Sequence, residues 1–238
     1  MLNELTIESQ KVGLLMNTTK TKVLTNGVPQ DIRVENEIIE YVKEYIYLGQ
    51  LVSFKNNTGK EIERRITLAW KKYWGLKEIM KNNDINISIK KKLYEIVILP
   101  CLTYGCQTWS LRKMDEEKIT ICQRKMERSM LGLKLLDKVS NFIIRNKTKM
   151  IDVRKRTRLL KWHWAGHICR MNNNRWTKRL TEWIPRDRSR EKGRPSKRWR
   201  DIFNQRCGPL WIRKARERDT WKGLGEAYAA EATITNIN

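Results

Sequence analysis

The chain contains no apolar run close to the about 18–20 residues that a membrane-spanning helix needs. Its opening stretch, Met1 to Gln10, has neither a basic n-region nor a long apolar core, which argues against a secretory leader. Cysteine is sparse: five residues, an odd number, scattered and with no Cys-x-x-Cys spacing. That pattern excludes a disulfide framework and points to a reducing, intracellular compartment, cytoplasmic or nuclear. Two histidines are too few to argue a Ser, His and Asp arrangement, and no Gly-rich phosphate loop occurs. Negative charge is in short supply. Fifty Lys and Arg stand against 26 Asp and Glu, a formal +24 at pH 7. No internal repeat of about 20–50 residues appears.

The 238 residues suit one large domain or two to three small ones. Ten Trp, seven Tyr and three Phe supply bulky core material, so wholesale disorder is excluded. A field of +24 repels itself unless an anionic partner neutralises it. Nucleic acid is the first candidate partner and an anionic membrane surface the second. The charge is uneven. Residues 1–53 carry five basic and seven acidic side chains, residues 54–150 carry 22 and 10, and residues 151–238 carry 23 and 9. The last segment has 16 Arg to 7 Lys. Arginine forks match phosphate oxygens and stack on bases.

Residues 1–53 read as a small β-containing unit. Lys22–Thr25, Asp31–Glu40 and Tyr41–Ser53 are short strand candidates, and Asn26-Gly27 is a turn signal. Residues 58–82 read as a helix, with Ile62, Ile66, Ala69, Tyr73, Leu76 and Met80 on one stripe. Thr58 suits the N-cap, with Glu61 completing a capping box. Arg64, Arg65, Lys71 and Lys72 fall on the opposite face. Further helices are expected over 87–99, where Pro100 should end or kink the chain, and over 115–131, 152–171 and about 210–230. Residues 172–200 break the periodicity. Trp70, Trp74 and Trp109 read as core. The expected fold class is α+β and predominantly α-helical: a short N-terminal β-hairpin unit over 1–53, a helical body over 54–150, and an Arg-rich helical tail over 151–238.

Five stretches carry a resemblance. They are Met16-Asn17-Thr18-Thr19-Lys20-Thr21-Lys22, Tyr45-Ile46-Tyr47-Leu48-Gly49-Gln50-Leu51, Leu102-Thr103-Tyr104-Gly105-Cys106-Gln107-Thr108-Trp109, Lys161-Trp162-His163-Trp164-Ala165-Gly166-His167-Ile168 and Gly193-Arg194-Pro195-Ser196-Lys197-Arg198-Trp199. In this order they resemble the carboxy-terminal portion of a non-LTR (LINE-type) retrotransposon reverse transcriptase. The first resembles motif D at the end of the palm, and the resemblance places Lys20 at the position of a lysine that protonates leaving pyrophosphate. The second resembles the primer grip, with Tyr47, Leu48 and Gly49 against the primer. The helices after it would correspond to a thumb that follows a template–primer duplex. The full family uses Mg2+ held on palm aspartates for RNA-directed DNA synthesis. This chain has no adjacent Asp-Asp pair. The reading is therefore a truncated fragment without catalytic aspartates and with no cofactor of its own, binding RNA, RNA–DNA hybrid or DNA. Two other readings stay open: a host-adopted protein that recruits RNA or a protein partner, and a relic.

The basic segment 178–200 is the strongest nucleic-acid candidate, through Arg186, Arg188, Arg190, Arg194, Lys197, Arg198 and Arg200. Ten of its 23 residues are basic. Trp176, Trp183 and Trp199 lie in or beside it, to stack bases or to pack inward. His163, His167 and Cys169 form a weak zinc candidate, because a site needs three or four ligands. Asp187, Glu191 and Lys192 faintly resemble a nuclease pattern but read as a basic loop. Relatives in the resembled family often carry two acids after the Arg-Trp pair. Here Trp199-Arg200-Asp201-Ile202 has one.

Overall fold

The computed structural model describes residues 1–34, 36–55, 57–172, 175–183, 193 and 197–234. The chain is α+β and predominantly helical, with two small two-stranded antiparallel sheets among the described residues. It divides into two compact units, residues 1–61 and 62–238.

The first unit opens with helix α1 (Leu2–Lys11), which ends at Gly13 with φ +76°. The following turn is closed by Asn17, whose side chain accepts from the Lys20 amide at 2.9 Å. Asn and Asp make such turns readily because a short polar side chain mimics a backbone acceptor. The segment expected as one strand over 31–40 is instead a tight hairpin. Strand β1 (Arg33–Val34) pairs with β2 (Glu37–Ile38), and Asn36 takes the left-handed conformation at φ 68°. The Lys22–Thr25 candidate contributes one bridge, Val23 to Tyr41. The 41–53 candidate is also a hairpin. Strand β3 (Glu44–Tyr47) pairs with β4 (Gln50–Ser53) in the register Glu44 to Ser53 and Tyr47 to Gln50. Leu48 and Gly49 form a two-residue turn, both with positive φ (47° and 76°), as a type I′ turn requires. Alternation was incomplete in the sequence because each strand is only two to four residues long. Val34, Ile39 and Leu51 are buried, and Glu61, also buried, accepts from the Leu51 amide at 2.9 Å.

Helix α2 (Asn57–Gly75) includes Thr58 rather than being capped by it. It stops at Gly75 and restarts as α3 (Lys77–Met80), so the continuous helix expected to residue 82 is broken. The apolar stripe holds: Ile62, Ala69, Tyr73 and Met80 are fully buried in the second unit. Trp74 is a correction. It is 48% exposed, stacked on Trp70 at 5.8 Å with Lys81 above its ring. Asn86 caps α4 (Ile87–Leu93) by accepting from the Ser88 amide. The chain then winds as a π-helix over Tyr94–Ile98 and continues through Pro100 as α5 (Leu99–Leu102). Proline removes one donor from the helical ladder, and the wider π register precedes it instead of a break.

A 3-10 turn at Cys106–Thr108 leads to α6 (Lys113–Met130), then α7 (Asn141–Thr148) and α8 (Val153–Cys169). A buried ionic knot joins the last three. Arg124 bonds Glu127 at 2.9 Å and Asp152 at 2.8 Å, and Arg145 lies 3.5 Å from Glu127. Burial raises the Glu127 pKa. Burial also pushes the Asp152 carboxyl upward, but Arg124, Arg154 and Arg145 outweigh it and hold its pKa below the usual value. Asp152 also caps α8 by accepting from the Arg154 amide.

The remaining helices are α9 (Trp176–Glu182), α10 (Asp201–Cys207), α11 (Trp211–Lys214) and α12 (Arg218–Ile234). The single helix expected over about 210–230 is thus two. A second core gathers Trp162, Phe203, Trp211 and Trp221. Trp162 and Trp221 stack at 4.4 Å, and each indole N–H donates to the other's backbone carbonyl, at 2.8 and 2.9 Å. Each ring lies over a glycine four residues along the opposite helix. A Cβ on Gly166 would stand 2.6 Å from Trp221, and one on Gly225 would stand 2.4 Å from Trp162. The same Trp-x-x-x-Gly spacing on both helices is the reason α8 and α12 cross so closely.

Candidate nucleic-acid interface

Helix α8 carries Arg154, Arg158 and Lys161 at four- and three-residue steps, which places them on one face. Across from that face stand α6, the Lys197–Arg198 segment with α10, and Tyr228 of α12. Together they line a cleft of about 780 Å³. Three of the five motif stretches meet beside it. Lys161 Nζ donates to the Trp109 carbonyl at 2.9 Å, and Trp199 Nε1 donates to the Gln107 carbonyl at 2.6 Å. The Lys161 ammonium lies 5.5 Å from the centre of the Trp199 ring and 5.9 Å from that of Phe203. Burial among these groups lowers the Lys161 pKa to about 8, against the opposing pull of Asp201 and Glu116.

Three acids line the cleft, Glu116, Glu117 and Asp201; Glu117 is exposed, and the other two are engaged. Glu116 takes Arg158 at 3.3 Å, and the Arg158 guanidinium sits 4.9 Å from the centre of the Tyr228 ring. Asp201 accepts from the Arg198 amide at 2.7 Å and closes the turn into α10. The lone acid after the Arg-Trp pair therefore has a structural task. Lys113 and Lys197 also line the cleft, and neither forms an ion pair among the described residues.

The first unit offers a different surface. The β3–β4 hairpin presents Tyr47 and Leu48 at its tip, 58% and 77% exposed, with Gly49 beside them. Lys20 is exposed in the Asn17 turn.

Across 247 aligned residues the chain is 35% identical to a transposon-derived protein of Caenorhabditis elegans, covering 93% of this chain and 86% of that one. This chain belongs to that transposon-derived family. No protein-family model and no solved structure matches it.

In this transposon-derived chain the expected contact residues are scattered. Lys71 and Lys72 are exposed on α2, and Arg64 is part-buried. Arg65 is a correction to the cationic face: it is 6% exposed, with its guanidinium 4.3 Å from the Tyr104 ring centre. Arg65 stands three residues after Ile62 and four before Ala69, so it shares their buried face rather than the opposite one. Lys197 and Arg198 are exposed at the cleft, and Arg200 is part-buried. Arg186, Arg188, Arg190 and Arg194 lie outside the described residues, as do Asp187, Glu191 and Lys192. Trp199 packs inward, whereas Trp176 and Trp183 are exposed, with Arg179 5.2 Å from the Trp176 ring centre.

His163 and His167 are exposed on α8, His167 stacked on Trp164, while Cys169 is buried. The three are not gathered as a ligand set, and among the described residues no group of three His, Cys, Asp or Glu side chains is placed to hold a metal ion. Among the described residues no helix is long and apolar enough to cross a membrane.

Lys113, Arg154, Arg158 and Lys161 escaped sequence reading. The spacing of the last three was a usable signal, since 154, 158 and 161 share one helical face.

Proposed function

We propose that this chain is the carboxy-terminal portion of a non-LTR retrotransposon reverse transcriptase, acting as a nucleic-acid-binding element without polymerase chemistry of its own. One observation carries the reading. Three of the motif stretches that resemble that enzyme converge on a single cation-lined cleft in a chain of net charge +24. Cations concentrated on one surface bind phosphate by releasing condensed counterions, a term that is independent of sequence. RNA or an RNA–DNA hybrid is the expected ligand. Exposed Trp176 and Trp183 suit stacking on unpaired bases.

The test is binding of the purified chain to single-stranded RNA, duplex DNA and an RNA–DNA hybrid across a salt series. Binding that weakens steeply with salt and favours RNA or the hybrid supports the reading. No binding near physiological salt overturns it.

A second reading has its own observation. Leu14, Leu15, Val28, Ile46 and Leu48 of the first unit are each more than half exposed. Five such side chains on a unit of 61 residues favour a host-adopted protein that recruits a protein partner, provided they form one contiguous patch. Sedimentation of the chain alone and with candidate partners separates the two.

A further inference from the structure

The cleft between α6, α8, α10 and α12 has an unbalanced electrostatic design. Of its three carboxylates, Glu116 is committed to Arg158 and Asp201 to the Arg198 amide, which leaves exposed Glu117 against the cleft's lysines and arginines. Lys113 and Lys197 reach it with no ion pair among the described residues. Lys161 stands at its wall with one hydrogen bond, to a neutral carbonyl, beside two aromatic rings; Asp201 and Glu116 attract it through space but give it no hydrogen bond, and Lys197 repels it. An ammonium has three donors. Holding a part-buried cation with one neutral acceptor costs free energy unless an anion completes its shell.

We propose that this cleft is a phosphate-recognition site that takes a backbone phosphate of a bound nucleic-acid strand, with Lys161 as the anchor and Lys113 and Lys197 as flanking contacts. The proposal rests on the nucleic-acid reading above and adds the place of contact. The ligand is a phosphodiester rather than a carboxylate because several cations converge on one hollow, and phosphate offers oxygens in several directions. Arg154 and Arg158 shape the floor. The Trp109, Trp199 and Phe203 surroundings keep water from Lys161 and sharpen its attraction for an anion.

The same burial provides a direct readout. With its pKa lowered to about 8, Lys161 holds far more neutral amine near neutral pH than a surface lysine does. Amine acylation at pH 7.5, mapped by mass spectrometry, should mark Lys161 ahead of the other lysines in the free chain, with exposed Lys197 labelled more slowly and the α-amino group of Met1 as an internal reference. The full chain is labelled alone, with tripolyphosphate, and with a saturating single-stranded RNA oligonucleotide.

Protection of Lys161 and Lys197 by both ligands, relieved by salt, is the expected result. Protection by tripolyphosphate alone removes the strand from the proposal. Protection by neither overturns it. If the chain binds RNA but Lys161 labels as before, the site is wrong while the nucleic-acid reading stands. If it binds no RNA yet tripolyphosphate protects Lys161, the converse holds.

Two variants check the energetics. Lys161→Met and the exposed Lys197→Ala should each reduce the slope of log affinity against log salt by about 0.7, the contribution of one phosphate contact on a single strand. An unchanged slope in a folded Lys197→Ala chain counts against the proposal even if Lys161→Met fails to fold.

Discussion

Three glycines make opposite demands at the residue scale. Alanine in place of a mid-helix glycine ordinarily stabilises by about 1 kcal/mol, because the backbone loses less entropy on folding. At Gly225 the added Cβ would lie 2.4 Å from Trp162, and at Gly166 it would lie 2.6 Å from Trp221. Overpacking of that kind typically costs about 1–3 kcal/mol and should overwhelm the helix gain. At Gly223, on the same helix as Gly225, nothing lies within 4 Å of the added Cβ. Urea denaturation should therefore rank Gly223→Ala above wild type and both Gly225→Ala and Gly166→Ala below it. A stabilised Gly225→Ala would show that the tryptophans do not sit over the glycines.

Lys161 gives the pH dependence at the same scale. Its folded pKa, about 8, lies below the ordinary value of 10.5. The unfolded chain therefore binds more protons between those values, and stability contributed at this position rises as pH climbs through that window. Below pH 8 the full penalty applies. The stability gap between Lys161→Met and wild type should be widest below pH 8 and narrow toward pH 10.5. Thermal melts of both chains across pH 7–10.5 would reveal it, and a gap that stays constant would contradict the burial argument.

Among the elements, the β3–β4 hairpin carries a local misfit. Leu48 holds φ 47° in a turn that favours Asn or Gly at that place. A left-handed conformation costs an ordinary L-residue about 1–2 kcal/mol. Leu48→Asn should stabilise the hairpin by roughly 1 kcal/mol, measured as slower amide exchange over residues 44–53. At the junction of α6, α7 and α8 the logic reverses. Asp152 is 2% exposed and serves Arg124, Arg145 and Arg154 while capping α8. Asp152→Ala strands buried guanidinium groups and should cost about 3–5 kcal/mol by denaturant titration. A loss below 1 kcal/mol would mean that water reaches the knot.

Across the whole molecule the two units are unequal in construction. The second holds both aromatic cores, whereas the first relies on strands of two to four residues and leaves many large apolar side chains exposed. Short sheets with little burial open at low free-energy cost. Amides of residues 20–53 should exchange well before those of α6, and equal protection in a hydrogen-exchange map would contradict this. Charge follows the same division: the first unit is nearly balanced and the basic excess lies beyond residue 53. The basic field that the proposed nucleic-acid binding draws on therefore belongs mainly to the second unit.

The sequence by itself determined the class of fold, the amphipathic stripe of α2, the existence of the helices that became α6 and α8, the basic excess and the motif order. Periodicity and composition are local properties, and each can be counted along the chain. Helix endings at Gly75 and the π course through Pro100 were less legible, because a glycine or proline weakens a helix without dictating how its neighbours respond. Only the tertiary structure decided that Arg65 turns inward onto Tyr104, that Trp74 faces out, and that Trp162 rather than Trp164 fills the second core. It alone brought Trp109, Lys161 and Trp199 together from 90 residues of chain. Which side of a charged or aromatic residue meets protein, and which meets solvent, depends on the element packed against it, and that partner is set by burial of the whole core.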